Sequence, residues 1–196
     1  KGTIAYIGHP MWLDIPLEKI TKGTWDAKTG MDEIQTAEKK LSDVYENMAT
    51  DPKAALKALT AFEKEYPAAA TMFGDLKYTL MVKAGDPKAS EIGRDLVAKA
   101  IKSNDAMKLN EIAWGIVDPE AQIEKPDLDL ALTAATKAVE ITKEKDGAIL
   151  DTLAWVHFHK GDTAKAIEIE KKAIAAAPAG MKDQLEESLK KFEAKK

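Results

Sequence analysis

The strongest constraint on the fold is a six-residue phrase that occurs twice in the second half of the chain. Residues 109–114 read Leu-Asn-Glu-Ile-Ala-Trp, and residues 150–155 read Leu-Asp-Thr-Leu-Ala-Trp. Downstream, Ala131 and Ala138 recur as Ala166 and Ala173, both 35 residues later. A period of this length predicts stacked helical hairpins, because one hairpin is too small to bury its own apolar face. Such arrays usually provide a binding surface rather than a catalytic site.

The composition favours an all-helical body and excludes several functions. The 196 residues are 45% hydrophobic and 32% charged, and strand-forming runs are nearly absent after residue 8. The net charge of −4 provides no cluster of positive charge for phosphate groups, so we expect no nucleic-acid partner. No apolar run approaches the ~20 residues that a membrane-spanning helix needs, so we expect no membrane span.

The chain contains no cysteine. Thiol–disulfide exchange, iron–sulfur clusters and cysteine-ligated zinc are therefore excluded within this chain. The sequence also has no glycine-rich phosphate loop, no His-Glu-x-x-His phrase and no Ser/His/Asp arrangement. We expect no catalytic residues, no metal site and no cofactor.

The first 30 residues predict a short segment that differs from the rest. Residues 1–8 alternate as a strand does, and a helix is predicted near Leu13–Thr21. The polar stretch from Asp26 to Gly30 is the predicted boundary, which divides the chain into domains 1–27 and 31–196. Because the chain starts with lysine rather than methionine, we expect a processed product or an excised fragment.

From residue 31 onward, apolar stripes at helical spacing predict one helix after another. Asp51-Pro52 and Asp86-Pro87 are typical helix starts, since an acidic cap precedes proline at the first helical position. The predicted helices cover 31–49, 52–65, 68–83, 87–102, a segment around Trp114, 127–144, 147–160, 162–177 and 181–195. Short turns between them predict antiparallel neighbours, so the fold class is an all-α stack of hairpins.

The segment from Leu150 to Pro178 resembles a tetratricopeptide repeat. That family places tryptophan, leucine, glycine and tyrosine on a first helix, then alanine, phenylalanine and alanine on a second, with a closing proline. The matching positions here are Leu150, Leu153, Ala154 and His157, then Ala166, Glu170, Ala173 and Pro178. The resemblance covers residues 105–180, and residues 31–103 share only the helical architecture. It implies a right-handed array whose concave face binds a protein or peptide, with a second copy of the chain as another candidate partner.

The N-terminal segment resembles a different family. Its Gly-x-Ile strand, Gly-His-Pro turn and leucine-rich helix ending in Gly-Thr-Trp-Asp are similar to the last strand and helix of a thioredoxin-like redoxin domain. The match covers about residues 1–26. It implies that the chain is the C-terminal region of a larger bacterial protein whose redox-active cysteines lie upstream. The sequence does not assign a compartment, although the resemblance suggests an extracytoplasmic, periplasmic one.

Four side chains on the repeated phrase are the candidate partner-binding residues. Trp114 and Trp155 fit two interpretations: packing between hairpins, or lining a groove for a peptide, where tryptophan often dominates the binding energy. Asn110 fits two interpretations: a hydrogen bond to a ligand backbone, as an asparagine on the first helix of such hairpins can donate, or a capping or solvent-facing role. Its counterpart Asp151 is acidic, which disfavours an anionic ligand there.

The histidines and the remaining carboxylates favour structural roles. His157 and His159 are two residues apart and point to different helix faces, which is poor spacing for one metal ion. His9 fits either a cap of the neighbouring turn or the rim of a redoxin site. Among the acids, Asp127, Asp129, Glu186 and Glu187 fit solvated helix faces, and we expect no carboxylate with a raised pKa.

Three functions remain open from the sequence. The first is a non-catalytic protein–protein interaction module in the C-terminal region of a thioredoxin-like protein. The alternative is a part of a thiol–disulfide oxidoreductase whose active-site cysteines lie upstream. The third is a structural spacer between other domains.

Overall fold

The computed structural model describes residues 4–121 and 123–195 and consists of helices joined by short turns. No strand occurs in this part of the chain, which confirms the all-α prediction at that level. The chain divides into two compact units, Lys1–Ala84 and Gly85–Lys196. The predicted domain boundary at residues 28–30 lies inside the first unit and stays a prediction.

The first unit is built around helix α3. It contains α1 (Asp14–Thr21), α2 (Ala27–Asn47), α3 (Pro52–Glu65), α4 (Pro67–Ala70) and α5 (Gly74–Ala84), with 3-10 turns at Pro10–Trp12 and Thr71–Phe73. Helix α3 packs against α2 and α5. The ring of Phe62 lies 6.2 Å from Trp12, 4.9 Å from Tyr66 and 5.6 Å from Phe73, measured between ring centroids. This aromatic cluster attaches the N-terminal turn to the helices that follow it.

The predicted N-terminal strand is not observed over residues 4–8, which have no regular secondary structure. Residues 1–3 of that prediction lie outside the described residues. The physical reason is the lack of a pairing strand in the described part, since a lone strand leaves its backbone polar groups unpaired. Side chains hold the segment instead: the Trp25 Nε1 donates to the Ala5 carbonyl at 2.8 Å, and the Tyr6 and Trp25 rings meet edge to face.

The predicted polar junction at 26–30 is the start of α2. Asp26 caps the helix by accepting a hydrogen bond from the Thr29 backbone N–H at 2.9 Å. Gly30 is buried against Trp25, and a Cβ at this glycine would lie 2.2 Å from a carbon of the indole ring. The polar residues that suggested a linker are therefore helix-capping residues, and the glycine allows a close aromatic contact.

The second unit contains α6 (Ala89–Lys102), α7 (Ala106–Val117), α8 (Leu128–Thr142), α9 (Gly147–His159), α10 (Thr163–Ala176) and α11 (Ala179–Glu193). Helix α7 packs on α8, α9 on α10, and α9 also contacts both α7 and α8. The recurring small residues Ala113, Ala154, Ala131, Ala166, Ala138 and Ala173 are all completely buried. Their small side chains permit close helix contacts.

Aspartate caps explain where most of these helices begin. The carboxylates of Asp51, Asp105, Asp127, Asp146 and Asp162 each accept a hydrogen bond from a backbone N–H in the first turn of α3, α7, α8, α9 and α10. Such a side chain satisfies one of the backbone donors that a helix start leaves free. The sequence prediction that Asp51-Pro52 starts a helix is confirmed.

Candidate functional site

A cavity of about 430 Å³ in the second unit is the candidate functional site. Three helices and one loop form its wall: α7, the loop that follows it, α9 and α11. The lining residues are Trp114, Asp118, Pro119, Glu120, Asp151, Trp155, Gln184, Glu187, Ser188 and Lys191. The wall thus combines two indole rings with four carboxyl groups and one ammonium group.

Trp155 is held by aromatic packing between α9 and α11. Its ring centroid lies 4.9 Å from that of Phe192 and 5.7 Å from that of Phe158, both at steep interplanar angles. The Lys191 Nζ lies over the same ring, 5.8 Å from its centroid. Only 4% of Trp155 is exposed, so most of this residue serves helix packing and a small part reaches the cavity.

Trp114 and the loop after it form the opposite part of the wall. Trp114 is half-buried on α7, and its carbonyl accepts the backbone N–H of Asp118 at 2.8 Å, which closes the helix. The Asp118 carboxylate then accepts the backbone N–H of Glu120 at 2.9 Å. These local hydrogen bonds fix the loop that brings two acidic residues to the cavity.

Asp151 and Glu170 form a buried acidic pair behind the cavity. Asp151 is 7% exposed and Glu170 is fully buried. The two side chains share a hydrogen bond, in which the protonated Glu170 carboxyl donates to the Asp151 carboxylate. Burial raises the pKa of Asp151 to about 6, with Glu170 and Ser188 acting in the opposite direction. Burial also raises the pKa of Glu170 to about 9, and the charge of Asp151 adds to this rise.

The pair therefore carries one negative charge at neutral pH. Glu170 keeps its proton there, because its pKa lies above 7, whereas the Asp151 carboxyl is mostly ionised. The ionised group belongs to the cavity wall and the neutral one lies beneath it. With Asp118, Glu120 and Glu187 also on the wall and Lys191 opposing them, the cavity has an excess of negative charge.

Three of the four candidate partner-binding residues meet at this cavity. Trp114, Asp151 and Trp155 all belong to its wall. Asn110 does not belong to the wall. Its position on α7 corresponds to that of Asp151 on α9, because each residue lies one helical turn before the tryptophan of its phrase. The Asn110 Oδ1 is buried without a hydrogen-bond partner.

The expectation that no carboxylate has a raised pKa is wrong for Asp151 and Glu170. The physical reason is that both lie inside the contact between α9 and α10, where ionisation loses its hydration. The sequence did contain an indication that Glu170 is buried. The residue occupies the position of the phenylalanine in the tetratricopeptide pattern, and that position lies in the interior. Glu187, assigned to a solvated helix face, belongs to the cavity wall, and nothing in its spacing indicated this.

The histidines make local contacts. His9 accepts the backbone N–H of Met11 through Nδ1 at 3.2 Å, which confirms the capping alternative. The His159 Nε2 lies 3.0 Å from the Val117 carbonyl oxygen and links the ends of α9 and α7. The His157 Nδ1 lies 3.7 Å from an Asp162 oxygen. Within the described ranges, no three His, Asp or Glu side chains are grouped as a metal site would require.

A second cavity, of about 370 Å³, lies between α6 and α8. Its wall is mainly apolar, with Val97, Ile101 and Leu130, and its charged residues include Arg94 and Asp127, which are 3.8 Å apart. Arg94 and Asp127 therefore already form an ion pair with each other. The cavity lined by the two tryptophans is therefore the better candidate for a polar ligand.

No helix in the described part of the chain has the length and apolar character needed to cross a bilayer. Comparison with known proteins gives no match for this chain among protein-family models, curated proteins or solved structures. The two family resemblances therefore stay predictions, and the chemistry of the cavity carries the functional conclusion.

Proposed function

We propose that this chain is a non-catalytic protein–protein interaction module, in which a tetratricopeptide-like array presents the cavity of the second unit to a protein or peptide. The observation that carries the proposal is the meeting of Trp114 with Asp151 and Trp155 at one cavity. These residues come from α7 and α9, the two helices that bear the repeated phrase.

The wall has the features of a recognition site for part of a polypeptide. A tryptophan that keeps part of its side chain exposed, such as Trp114, provides a large contact area with little loss of conformational entropy, which is why tryptophan is common at the centre of interfaces. The wall also carries four carboxyl groups, which can accept hydrogen bonds from a polypeptide. An indole surface beside hydrogen-bond acceptors favours a polypeptide ligand.

The packing of the second unit supports the tetratricopeptide-like part of the proposal. In that architecture, each repeat packs against its neighbouring repeats. Helix α9 contacts both α7 and α8, and α10 follows it after a short turn and packs against it. Leu109 and Leu150 occupy the same place in the repeated phrase, and both are buried.

A displayed library of random peptides, selected against the full chain, tests the proposal. We expect enriched peptides that bind the chain and lose most of their affinity when Trp114→Ala is introduced. Glu186→Gln, an exposed change on α11 outside the cavity, provides the control and should leave their binding intact. If no peptide is enriched, or if the enriched peptides bind the Trp114→Ala variant equally well, the interaction proposal fails and a spacer role becomes the better interpretation.

A second candidate function, a region of a thiol–disulfide oxidoreductase, is favoured by exposed apolar residues near the N-terminus. Leu13, Leu17 and Ile20 lie on one face of the first helical segment and are exposed, as are Ile4 and Ile7. The last helix of a thioredoxin-like domain would bury such a face against its sheet. A reading frame with a Cys-x-x-Cys phrase about a hundred residues before Lys1 would support this candidate. Without such a phrase, the candidate fails.

A further inference from the structure

Three helices of the second unit meet at a layer of buried polar side chains. Asp151 on α9, Glu170 on α10 and Ser188 on α11 form this layer. We propose that the layer is a proton-dependent switch for α11: the helix stays docked while Asp151 and Glu170 share one proton. When that proton leaves, α11 separates from α9 and α10 while the rest of the second unit stays folded. This inference concerns the fold and goes beyond the proposed interaction function.

The first support is the position of Ser188 on α11. The buried residues of this helix are Leu185, Ser188 and Phe192, which share one face of the helix. The serine thus lies between two apolar residues, whose burial stabilises the docked helix. Burial raises the pKa of Asp151, and hydrogen bonds from Glu170 and Ser188 oppose this rise. The polar residue of the stripe therefore connects α11 to the carboxyl pair.

The second support is the shared proton itself. The protonated Glu170 carboxyl donates a hydrogen bond to the Asp151 carboxylate, and both side chains are buried. Without the proton, two negative charges would lie side by side where little water reaches them, which is strongly unfavourable. The charges regain hydration only when one of the surrounding helix contacts opens. Loss of the proton therefore favours an open state.

The packing of the helices indicates which contact opens. Helix α9 packs against α7, α8 and α10, whereas α11 packs against α10. Helix α11 reaches α9 through Phe192, whose ring centroid lies 4.9 Å from that of Trp155 and 4.6 Å from that of Phe158. Displacing α9 would thus break more helix contacts than displacing α11. Since the least stable parts of a fold open first, we expect α11 to separate before the other helices.

The surrounding charges do not compensate a doubly ionised pair. The cavity wall beside Asp151 carries three other acids and one base, namely Asp118, Glu120, Glu187 and Lys191. All buried residues of α7 and α8 are apolar. Three bases of α10 already form ion pairs with other acids, namely Lys165, Lys171 and Lys172. Burial lowers the pKa of His157 and of His159 on α9, so both are mostly neutral above pH 7.

The direction of the pH effect follows from the proton that is released on opening. The pKa of Glu170 is about 9 in the docked state against an ordinary value of 4.5, so the docked state binds the proton more tightly. This stabilisation is complete below pH 4.5 and is lost as the pH rises through 9. Between these values, one released proton raises the opening equilibrium about tenfold per pH unit. Asp151 contributes mainly below pH 7, because its pKa is about 6.

Hydrogen exchange of the full chain at pH 7 and pH 8 tests the proposal. Each rate is divided into the intrinsic rate at the same pH, which gives a protection factor for the opening equilibrium. We expect the α11 amides to be at least about tenfold less protected than those of α8, and their protection to fall about tenfold between the two pH values. Equal protection of α11 and α8 would overturn the proposal, as would α11 protection that is independent of pH.

Two variants on α10 identify the group that releases the proton. Glu170→Gln should abolish the change in α11 protection between pH 7 and pH 8, because glutamine does not ionise. Glu168→Gln is the matched control, since Glu168 is exposed and pairs with Lys165, and it should keep the tenfold fall. A tenfold fall that persists in Glu170→Gln would overturn the proposal. If this variant does not fold, the parent chain at the two pH values still decides.

The switch also controls the cavity, a consequence that rests on the proposed interaction function. Helix α11 supplies part of the cavity wall through Gln184, Glu187, Ser188 and Lys191. The cavity is therefore complete only while α11 is docked. A selected peptide, present at 100 times its Kd, should raise the α11 protection factor about 100-fold. If it does not, the peptide binds elsewhere, which contradicts the cavity as the interaction site and leaves the switch standing.

Discussion

Asp151 on α9 and Glu170 on α10 place two carboxyl groups together in the interior of the second unit, where their side chains share a hydrogen bond. Burial and mutual repulsion hold one proton on the pair at neutral pH. An interior carboxyl pair of this kind lowers the stability of the folded state as it ionises. It also leaves the cavity with a charged acceptor that water reaches poorly.

The first prediction is that the free energy of unfolding falls as the pH rises from about 4.5 to about 9. Glu170 has a pKa of about 9 in the folded state against an ordinary value of 4.5, so the folded state binds its proton more tightly than the unfolded state does. The stabilising effect is complete below pH 4.5 and is lost as the pH passes through 9. Urea unfolding at pH 5 and pH 8 should show a loss of more than about 1 kcal/mol from this group.

Glu170→Gln should remove most of this pH dependence, because glutamine has the shape of the protonated glutamate and does not ionise. The variant should be more stable than the parent chain at pH 8. Glu168→Gln is the matched control on α10: Glu168 is exposed and Lys165 lowers its pKa. The free energy of unfolding of the Glu168→Gln variant should still fall as the pH rises. A parent chain whose stability is the same at pH 5 and pH 8 would contradict the buried pair.

The second prediction concerns the close approach of α9 and α10. A Cβ at Gly147 would lie 2.7 Å from the Ala173 carbonyl oxygen and 2.7 Å from the Ala177 Cβ. Backbone atoms cannot move aside as a flexible side chain can, so Gly147→Ala should destabilise the chain by about 1–3 kcal/mol. Chemical unfolding measures the change.

Gly115→Ala is the control for that prediction. Gly115 lies inside α7, and nothing approaches the position of its Cβ within 4 Å. Replacing a glycine inside a helix by alanine stabilises it by up to about 1 kcal/mol, so this variant should be at least as stable as the parent chain. If both variants changed stability in the same direction, the contact at Gly147 would not be the cause.

Local features were predictable from the sequence because they depend on near neighbours. Aspartate before a helical stripe identified the start at Asp51, since capping involves only the next three residues. The helix predicted to start at Asp86-Pro87 begins only at Ala89. The buried alanines were predictable as well, because their spacing keeps them on one helix face. The stretch at 26–30 starts a helix, since the same polar residues serve linkers and helix caps, and the domain boundary there stays a prediction.

The cavity could be predicted only in part, because it depends on contacts between distant segments. The repeated phrase pointed to Trp114, Asp151 and Trp155, which all reach it. Glu187 on α11 has no counterpart in the repeat, and its place on the wall follows from how α11 packs on α10. Glu170 was assigned no interior role, because a glutamate is rarely fully buried and composition favours a solvated face.

The third prediction tests an aspartate cap. The Asp146 carboxylate accepts hydrogen bonds from the backbone N–H groups of Ala148 at 3.0 Å and Ile149 at 3.2 Å. Asp146→Ala leaves both donors without this partner and should cost about 1 kcal/mol, measured by thermal or chemical unfolding. Asp95→Ala, an exposed change in the middle of α6, should be neutral or slightly stabilising, because alanine favours a helix interior. A larger loss of stability in Asp95→Ala than in Asp146→Ala would contradict the capping role of Asp146.

The last prediction separates the two tryptophans, which the repeat treats as equivalent. Trp155 is 4% exposed and packs on Phe158 and Phe192, so Trp155→Ala should destabilise the chain by about 3–5 kcal/mol through lost packing. Trp114 is less buried than Trp155, so Trp114→Ala should cost less, about 2 kcal/mol. The expected pattern in urea unfolding and in binding to the selected peptides is therefore a large stability loss for Trp155→Ala, and a modest one with loss of binding for Trp114→Ala. Equal stability losses, or unchanged binding to Trp114→Ala, would assign both residues to packing and leave the cavity without its aromatic contact.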